Sequence, residues 1–458
     1  MRKTVVLNVV GLSRRVIGEH TPFIKSFLEA GKMALIQPML PAVTCVVQST
    51  YLTGKWPSGH GIVGNGWYFR DECEVKFWRQ SNKLVQGKKL WDELKARDPE
   101  FRCANLFWWY NMYSAADYSV TPRPNYLADG RKVPDVYSNP ADLRDKLQRE
   151  LGRFPLFNFW GPRTSIRSSR WIAEAAIRVD REYNPSLSLV YLPHLDYCLQ
   201  KFGLDFDRIG KDLQEVDALV RYLVAHFSQQ DTQVILLSEY GITNVSRPVH
   251  LNRYLRELGY LQIRTERGLE LLDAGASRAF AVADHQLAHI YLNDPDLKAP
   301  VTELLKTVPG VETVLAGDAR GHLQHARCGD LVAVADKDSW FTYYYWEDDR
   351  KAPDFARMVD IHKKPGYDPV ELFTDPDDPL VTARVVWKLF RKKLGFRTVL
   401  DIIPLKPELV RGSHGRIPES PEDHPVLISN VSDIDMPEVL KATEVYNILL
   451  QHVMPVKK

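Results

Sequence analysis

Three short apolar runs, rich in β-branched residues, constrain the fold of this 458-residue chain more than any other feature. They are Val5 to Val10, Leu187 to Leu192 and Val234 to Leu237. Runs of this kind are typical of strands that are buried on both faces, as in a parallel sheet. Helical patterns lie between them, at 22–29, 89–97, 168–179 and 213–227. This alternation predicts an α/β fold with a doubly wound, mostly parallel sheet.

The length and composition are consistent with one large domain built around this sheet. Hydrophobic residues make up 45% of the chain and charged residues 26%, a balance that allows a sizeable packed core. We interpret residues 1–458 as a single domain with two inserted segments, 107–162 and 341–411. The second contains an amphipathic helix over 381–394. We interpret its basic side as a solvated face, with an anionic partner or a membrane surface as the alternative.

Charge and cysteine usage exclude several functional classes. The formal net charge of +2 gives no case for nucleic-acid binding by bulk electrostatics. No window of eighteen or more apolar residues occurs, so no membrane span is expected. The five cysteines are scattered and form no CxxC pair, which is typical of reduced thiols. The run after Met1 is too short for a signal peptide, so we expect a cytoplasmic protein.

A second informative segment begins at Leu40 and contains Thr44 at the head of a short helical pattern that Gly54 can end. A hydroxyl there lies beside unpaired backbone N–H groups and the positive end of the helix dipole, where a phosphate binds well. The simpler alternative is that Thr44 caps the helix N-terminus with its side chain. Local sequence alone leaves both interpretations open.

The residues around Thr44 resemble the nucleophile region of the alkaline phosphatase superfamily, specifically its type I phosphodiesterase/nucleotide pyrophosphatase branch. That branch has Pro, two residues, a nucleophilic Thr and a later Thr-Gly, matched here by Pro41, Thr44 and Thr53-Gly54. The sequence His60 to Asn65 also matches the branch in spacing. The resemblance implies an alkaline-phosphatase-like α/β fold with inserted cap segments, and Thr44 as the catalytic nucleophile.

The resemblance also implies two divalent cations that bind the phosphate and the threonine. Three implied ligand positions keep a suitable residue. Asp196 belongs to an Asp-x-x-x-His element, Glu239 replaces Asp in a Ser-Asp-His-Gly motif, and His414 lies in a late His-Gly pair. A cation held there would lower the pKa of the Thr44 hydroxyl and stabilise the attacking oxygen.

Other implied metal positions depart from the family pattern. Val10 stands where an early Asp is expected, Gln200 where a His is expected, and Tyr240 where another His is expected. None of these is a usual metal ligand, and a valine side chain cannot bind a cation. The resemblance therefore supports the fold more strongly than it supports the original two-metal site.

Two further pairs offer replacement ligands. Asp360 and His362 lie on one face if their segment is extended, because alternate side chains of a strand share a face. His285 and His289 would lie one turn apart if their segment were helical, although the β-rich context makes a helix doubtful. Either pairing also arises by chance in structural positions.

Our hypothesis for the metal site combines these residues. One cation would bind Asp196, His414 and a member of the Asp360/His362 pair, while Glu239 with His285 would hold a second cation or act as a base. Carboxylates and imidazoles without thiolates suit zinc, with manganese or iron as alternatives.

Candidate substrate-binding residues come from the aromatic-rich segments and from one helix start. Trp109, within 107–113, could stack on a planar group such as a nucleobase. Arg167 and Arg170 could clamp a phosphate. The alternative interpretation is core packing for the aromatic side chains and surface ion pairs for the arginines.

These observations predict a metal-dependent hydrolase of phosphodiester, pyrophosphate or phosphate-ester bonds that uses Thr44 and acts on a small phosphorylated substrate. Loss of implied ligands keeps two alternatives open. One is metal-assisted chemistry of another kind on a phosphorylated or phosphonate metabolite. The other is a family member that binds such a molecule without turnover. The sequence makes no prediction of the oligomeric state.

Overall fold

The computed structural model describes residues 1–128, 131–396, 398–431 and 433–455. Thirteen helices in this part of the chain are α1 Pro22–Glu29, α2 Thr44–Thr53, α3 Pro57–His60, α4 Leu90–Arg97, α5 Ala141–Leu151, α6 Leu156–Phe159, α7 Ile166–Tyr183, α8 His194–Phe202, α9 Phe206–Ser228, α10 Leu251–Glu257, α11 Lys298–Thr307, α12 Val381–Lys393 and α13 Val445–Val453.

The strands, in chain order, are β1 Thr4–Val9, β2 Lys32–Gln37, β3 Gly66–Phe69, β4 Glu74–Phe77, β5 Cys103–Leu106, β6 Tyr118–Pro122, β7 Asn125–Tyr126, β8 Lys132–Val133, β9 Val136–Asn139, β10 Leu187–Leu192, β11 Gln233–Leu237, β12 Thr243–Asn244, β13 Arg247–Val249, β14 Ile263–Glu266, β15 Leu269–Leu272, β16 Ala279–Asp284, β17 Leu287–Leu292, β18 Val311–Ala316, β19 Leu331–Ala335, β20 Ser339–Phe341, β21 Gly412–Ser413, β22 Val426–Ser429 and β23 Val439–Lys441.

A nine-stranded mixed sheet forms the centre of the molecule, in the order β23-β2-β22-β11-β1-β10-β5-β6-β9. The strands from β11 to β6 run parallel, and β22 and β9 are antiparallel to their neighbours. Every residue of β1 and β10 is buried, as their apolar runs predict. The α/β class with a mostly parallel sheet is therefore confirmed.

The carboxyl ends of the parallel strands gather the candidate residues at one edge of this sheet, as expected for open α/β sheets. Strand β10 leads through Pro193 into α8, whose first turn carries Asp196. Strand β11 ends at Leu237, two residues before Glu239. Helices α7 and α9 pack against these strands and against each other.

A smaller antiparallel sheet, in the order β16-β17-β19-β18, covers 279–335. His285 lies in the two-residue turn of the β16–β17 hairpin and has a positive φ of 62°. His289 lies inside β17, and its Nε2 is 2.8 Å from the carbonyl oxygen of Val63. The helical pairing of His285 with His289 is therefore wrong, because the β-rich flanks form a hairpin.

The two predicted insertions differ in how they join the fold. The segment 107–162 supplies β6 and β9, which complete one edge of the main sheet. The segment 341–411 carries the buried aromatic run Tyr343–Trp346 and helix α12. None of the described helices is both long enough and apolar enough to span a bilayer.

Candidate functional site

Thr44 is the first residue of α2, and its side chain does not cap the helix. The N-cap position is Val43, in an extended conformation, and no side-chain cap hydrogen bond forms there. Gly54 ends the helix in the left-handed region at φ 64°, a conformation that glycine adopts without a steric cost. The capping interpretation of Thr44 is therefore wrong. Thr44 is only 4% exposed, and its hydroxyl makes a hydrogen bond with another buried side chain.

A hydrogen-bonded chain runs from this hydroxyl to a buried carboxyl group. Thr44 Oγ1 lies 2.9 Å from Tyr240 Oη, and Tyr240 Oη donates to Asp196 Oδ1 over 3.2 Å. A phenol has one proton to donate, and Tyr240 gives it to Asp196. Thr44 is therefore the donor to Tyr240, and a proton that leaves the threonine has a direct path to Asp196.

Burial raises the pKa of Asp196 to about 7, although hydrogen bonds from Tyr240 and Gln200 act in the opposite direction. Gln200 Nε2 donates to Asp196 Oδ2 over 2.8 Å, and Tyr367 Oη donates to Gln200 Oε1 over 2.8 Å. Gln200 stands where the resemblance implies a metal-binding His. Here its amide orients the carboxyl group instead.

His414 faces the same space as Asp196. Its ring stacks on that of Tyr240 with centroids 3.6 Å apart, and its Nδ1 lies 2.7 Å from the carbonyl oxygen of Ala42. Because a carbonyl only accepts, Nδ1 carries the proton and Nε2 presents a lone pair. Burial lowers the pKa of His414 to about 3, so the ring is neutral. Its Nε2 has no hydrogen-bond partner and lies 3.7 Å from Asp196 Oδ1.

Glu239 lies beside this chain and is held by amide groups. Its Oε1 accepts from Asn8 Nδ2 over 2.6 Å and from Gln48 Nε2 over 2.5 Å. Its Oε2 is buried without a partner, and so is Asn8 Oδ1. Burial raises the pKa of Glu239 to about 8, although the nearby side chains of Gln48, Asn8 and Thr44 act in the opposite direction.

The other three predicted ligands make contacts of their own. His285 packs against His414, with centroids 3.7 Å apart, and burial lowers its pKa well below the usual value. Asp360 pairs with Lys363 at 3.5 Å, and His362 Nδ1 lies 3.4 Å from the carbonyl oxygen of Phe77. No three of the six predicted ligands have their ligand atoms within 4.8 Å of one another.

Within the described ranges, one group of three acidic or imidazole side chains meets that distance: His194, Asp212 and Glu215. His194 Nε2 lies 2.7 Å from Asp212 Oδ1. His194 lies two positions before Asp196 in the first turn of α8, and its side chain is directed toward α9.

The donor set beside Thr44 fits one cation better than two. Asp196 Oδ1 and the unpaired His414 Nε2 are separated by 3.7 Å, close enough to share an ion that binds nitrogen and oxygen at about 2.1 Å. The second cation that the resemblance implies would need ligands at positions 10 and 240. Val10 is apolar and fully buried, and the Tyr240 hydroxyl is already hydrogen-bonded to Thr44.

Aromatic side chains cover the site from the other side. Tyr367 stacks on His285 at 3.7 Å, and Trp160 packs near Tyr367 at 5.7 Å. Trp109 packs against Trp78 at 4.8 Å, and its backbone N–H donates to Gln48. Two surface clefts, with volumes of about 410 and 260 Å³, are lined by other residues. Thr44 is therefore buried, and neither cleft is lined by it.

The predicted phosphate clamp lies outside that cover. Arg167 and Arg170 are exposed on the first turns of α7. Their role as substrate ligands stays a prediction, as does the stacking role of Trp109.

Sequence reasoning missed three residues of the site. Asn8 lies two positions before Val10 on β1, and alternate strand positions share a face. Gln48 follows Thr44 by four positions, one turn along α2. Tyr240 was counted as a lost histidine, although its hydroxyl links Thr44 to Asp196. The spacing of Asn8 from Val10 and that of Gln48 from Thr44 can both be read from the sequence and place these side chains on the face of the site.

Curated relatives match part of the chain. An uncharacterized pyrophosphatase/phosphodiesterase of Schizosaccharomyces pombe is 24% identical over 248 residues, which is 52% of this chain and 41% of that protein. Ectonucleotide pyrophosphatase/phosphodiesterase 2 of Saccharomyces cerevisiae is 24% identical over 261 residues, 53% of this chain and 48% of the yeast protein. The match therefore spans less than half the length of each relative.

Solved structures share the fold over almost the whole chain. Murine ectonucleotide pyrophosphatase/phosphodiesterase 5 has a TM-score of 0.58 and 15% identity, covering 99% of this chain and 95% of that one. Phosphonoacetate hydrolase of Sinorhizobium meliloti, in complex with phosphonoformate, has a TM-score of 0.59 and 15% identity, covering 99% and 96%. The sequence model of the type I phosphodiesterase/nucleotide pyrophosphatase family matches residues 4–368. The chain is a member of this enzyme family, as its resemblance predicted.

Proposed function

We propose that this protein hydrolyses a phosphodiester or pyrophosphate bond of a small substrate, with Thr44 as nucleophile and Asp196 as the base that accepts its proton through Tyr240. The hydrogen-bonded chain Thr44–Tyr240–Asp196 carries this proposal. A base with a pKa near the working pH is well matched to proton transfer, and the pKa of Asp196 is about 7.

In the first step Thr44 Oγ1 forms a bond to phosphorus, and the bond from phosphorus to the leaving oxygen breaks. The threonine proton passes to Tyr240 Oη, and the phenol proton passes to Asp196. In the second step water attacks phosphorus, and the bond from phosphorus to Thr44 Oγ1 breaks. The threonine oxygen takes back a proton from Asp196 through Tyr240, and the proton lost by water passes to solvent, which supplied the proton taken up by the first leaving oxygen.

Asp196 and His414 are the residues that would hold a divalent cation, for which we favour zinc. A bound cation supplies positive charge next to the phosphate oxygens and to the attacking oxygen. His414 is ready for this role because burial keeps it neutral and its Nε2 lone pair is free. Glu239 orients Asn8 and Gln48 around the start of α2.

We propose a nucleotide ester as the substrate class. The aromatic side chains over the site, among them Trp109 and Trp160, offer faces on which a nucleobase stacks. An inactive threonine-to-alanine form of the murine structural relative is in complex with AMP, which supports both a nucleotide ligand and an essential threonine. A cytoplasmic location is also proposed, since all five cysteines are free thiols.

The test is hydrolysis of the p-nitrophenyl ester of thymidine monophosphate by the zinc-loaded protein. We expect release of p-nitrophenolate, its loss in Thr44→Ala and its partial recovery in Thr44→Ser. The matched control is Thr53→Ala, which removes a buried hydroxyl at the other end of α2. Equal turnover in Thr44→Ala and the unchanged protein would contradict the proposal.

A second candidate is hydrolysis of a phosphonate, because the Sinorhizobium meliloti relative is a phosphonoacetate hydrolase. Phosphate release from phosphonoacetate without release of p-nitrophenolate from the nucleotide ester would favour this reaction. Tight binding of AMP with neither reaction would favour a non-catalytic family member.

A further inference from the structure

Helix α12 turns its apolar side to solvent. The side chains that it partly buries are Val381, Val385 and Lys388. At 100° per residue these three positions lie on one side of the helix. The opposite side carries the large apolar residues, with exposed fractions of 61% for Val386, 59% for Trp387, 50% for Phe390 and 59% for Leu394 just beyond the helix. This orientation is the reverse of that of an ordinary surface helix, whose apolar side faces the core.

The apolar surface continues beyond the helix. Leu380, Phe396 and Val399 are each more than half exposed. Eight of the eighteen exposed large hydrophobic residues in the described part of the chain lie between 380 and 399. Soluble proteins rarely leave such a concentration uncovered unless it binds a partner or a membrane.

The same segment is strongly basic. From Leu380 to Leu400 the sequence has three arginines, three lysines and no acidic residue. The net charge of this segment therefore exceeds the formal net charge of the whole chain, which is +2. On the helix, Arg384 and Arg391 lie along one border of the apolar side, where Arg384 also pairs with Asp378, and Lys393 lies along the other border. The Arg391 guanidinium lies 5.6 Å from the ring centroid of Phe396.

An apolar stripe bordered on both sides by basic residues is typical of a helix that lies in a membrane interface. Long basic side chains reach lipid phosphates while aromatic and aliphatic side chains enter the acyl boundary. A second copy of the same patch is disfavoured, because two segments of six positive charges would face each other. We propose that α12 docks this protein onto a membrane surface that contains anionic phospholipid.

The test compares sedimentation of the full protein with two kinds of vesicle. One contains phosphatidylcholine alone, and the other contains phosphatidylserine mixed into phosphatidylcholine. We expect binding only to the second, weakened by salt because exposed charges are screened. The double variant W387S/F390S and the triple variant R384Q/R391Q/K393Q should each lower the vesicle affinity at least about tenfold.

The control variant is Leu258→Ser, which removes a 51% exposed leucine at the end of α10 and should leave vesicle binding unchanged. All variants should keep the hydrolytic activity toward a soluble ester, since none touches the site around Thr44. Absence of wild-type binding to the phosphatidylserine vesicles would overturn the proposal. So would a wild-type dimer in sedimentation equilibrium that becomes monomeric in W387S/F390S, because a second copy would then cover the patch.

Discussion

At the scale of single residues, the proposed function depends on where the proton of Thr44 goes. In the proposed path Asp196 is the final acceptor, and burial raises the pKa of this carboxyl group to about 7. Below that pH the carboxyl group is protonated and cannot accept a proton. Above it the carboxylate is present and the path from Thr44 is open.

We therefore expect kcat/KM to rise with pH through about 7 and to reach a plateau above it. A tightly bound cation would move this rise to lower pH, because positive charge favours the carboxylate. The measurement is a pH–rate profile with and without added zinc. An activity that is flat from pH 5 to 9 without added zinc would exclude Asp196 as the base.

Removing the intermediate hydroxyl tests the same path. Tyr240→Phe keeps the ring that stacks on His414 and removes the Oη between Thr44 and Asp196. We expect kcat to fall by about 10²-fold, the lower end of the usual contribution of general base catalysis. Tyr367→Phe, which removes a hydroxyl one step further away, should cost much less.

At the scale of elements, the segment 359–372 is fixed by a buried ion cluster. Lys364 Nζ lies 2.7 Å from both Asp368 Oδ2 and Glu371 Oε1, and all three side chains are buried. Burial alone would lower the pKa of Lys364, but the two carboxylates outweigh it and raise the pKa. Glu371 Oε2 also accepts from Trp160 Nε1 over 2.5 Å. The cluster therefore positions one side chain of the aromatic cover.

Lys364→Met should lower the free energy of unfolding by about 3–5 kcal/mol, because it leaves buried carboxylates without their cation. The matched control is Lys363→Met, at a neighbouring exposed lysine, which should change stability by less than about 1 kcal/mol. Chemical denaturation of both variants checks this. Equal stability of the two variants would show that the buried cluster contributes little.

At the scale of the whole molecule, buried carboxyl groups and buried histidines set how stability depends on pH. Burial raises the pKa of Asp196 and Asp284 to about 7 and that of Glu239 to about 8. It lowers the pKa of His60 and His414 to about 3. Above about pH 7.5 the histidines are almost entirely neutral in both folded and unfolded states. The buried carboxyl groups, together with buried thiols such as Cys45 and Cys198 whose pKa burial also raises, then bind more protons in the folded state.

Stability without metal should therefore fall as pH rises from about 7.5 to 9, with each carboxyl group contributing at most about 1.4 kcal/mol per pH unit. Thermal unfolding across this range checks the direction. Glu239→Gln should flatten the curve, because the amide does not titrate. A melting temperature that increases steadily with pH would contradict these assignments.

The fold was predictable because the chain alternates buried strands with helices, and because the segment from Thr44 to Asn65 matches one enzyme family. Part of the site was predictable for the same reason, since Asp196 and His414 both lie around Thr44. The contacts of Tyr240 and Gln200 could not be predicted from the sequence, because a substitution in a motif does not reveal the new hydrogen bond that it makes. The contacts that Asp360 makes with Lys363 and Glu371 depend on packing, on which the spacing of an Asp-x-His pair carries no information.

The enclosure of Thr44, at 4% exposure, has a kinetic consequence. Before any ester reaches the threonine, the side chains that bury it must move aside, so the frequency of that opening motion sets an upper limit on the association rate. A phosphonylating reagent aimed at Thr44 would label the protein at that frequency, independent of reagent concentration once the reagent is abundant. The labelling rate would thus measure how often this protein opens.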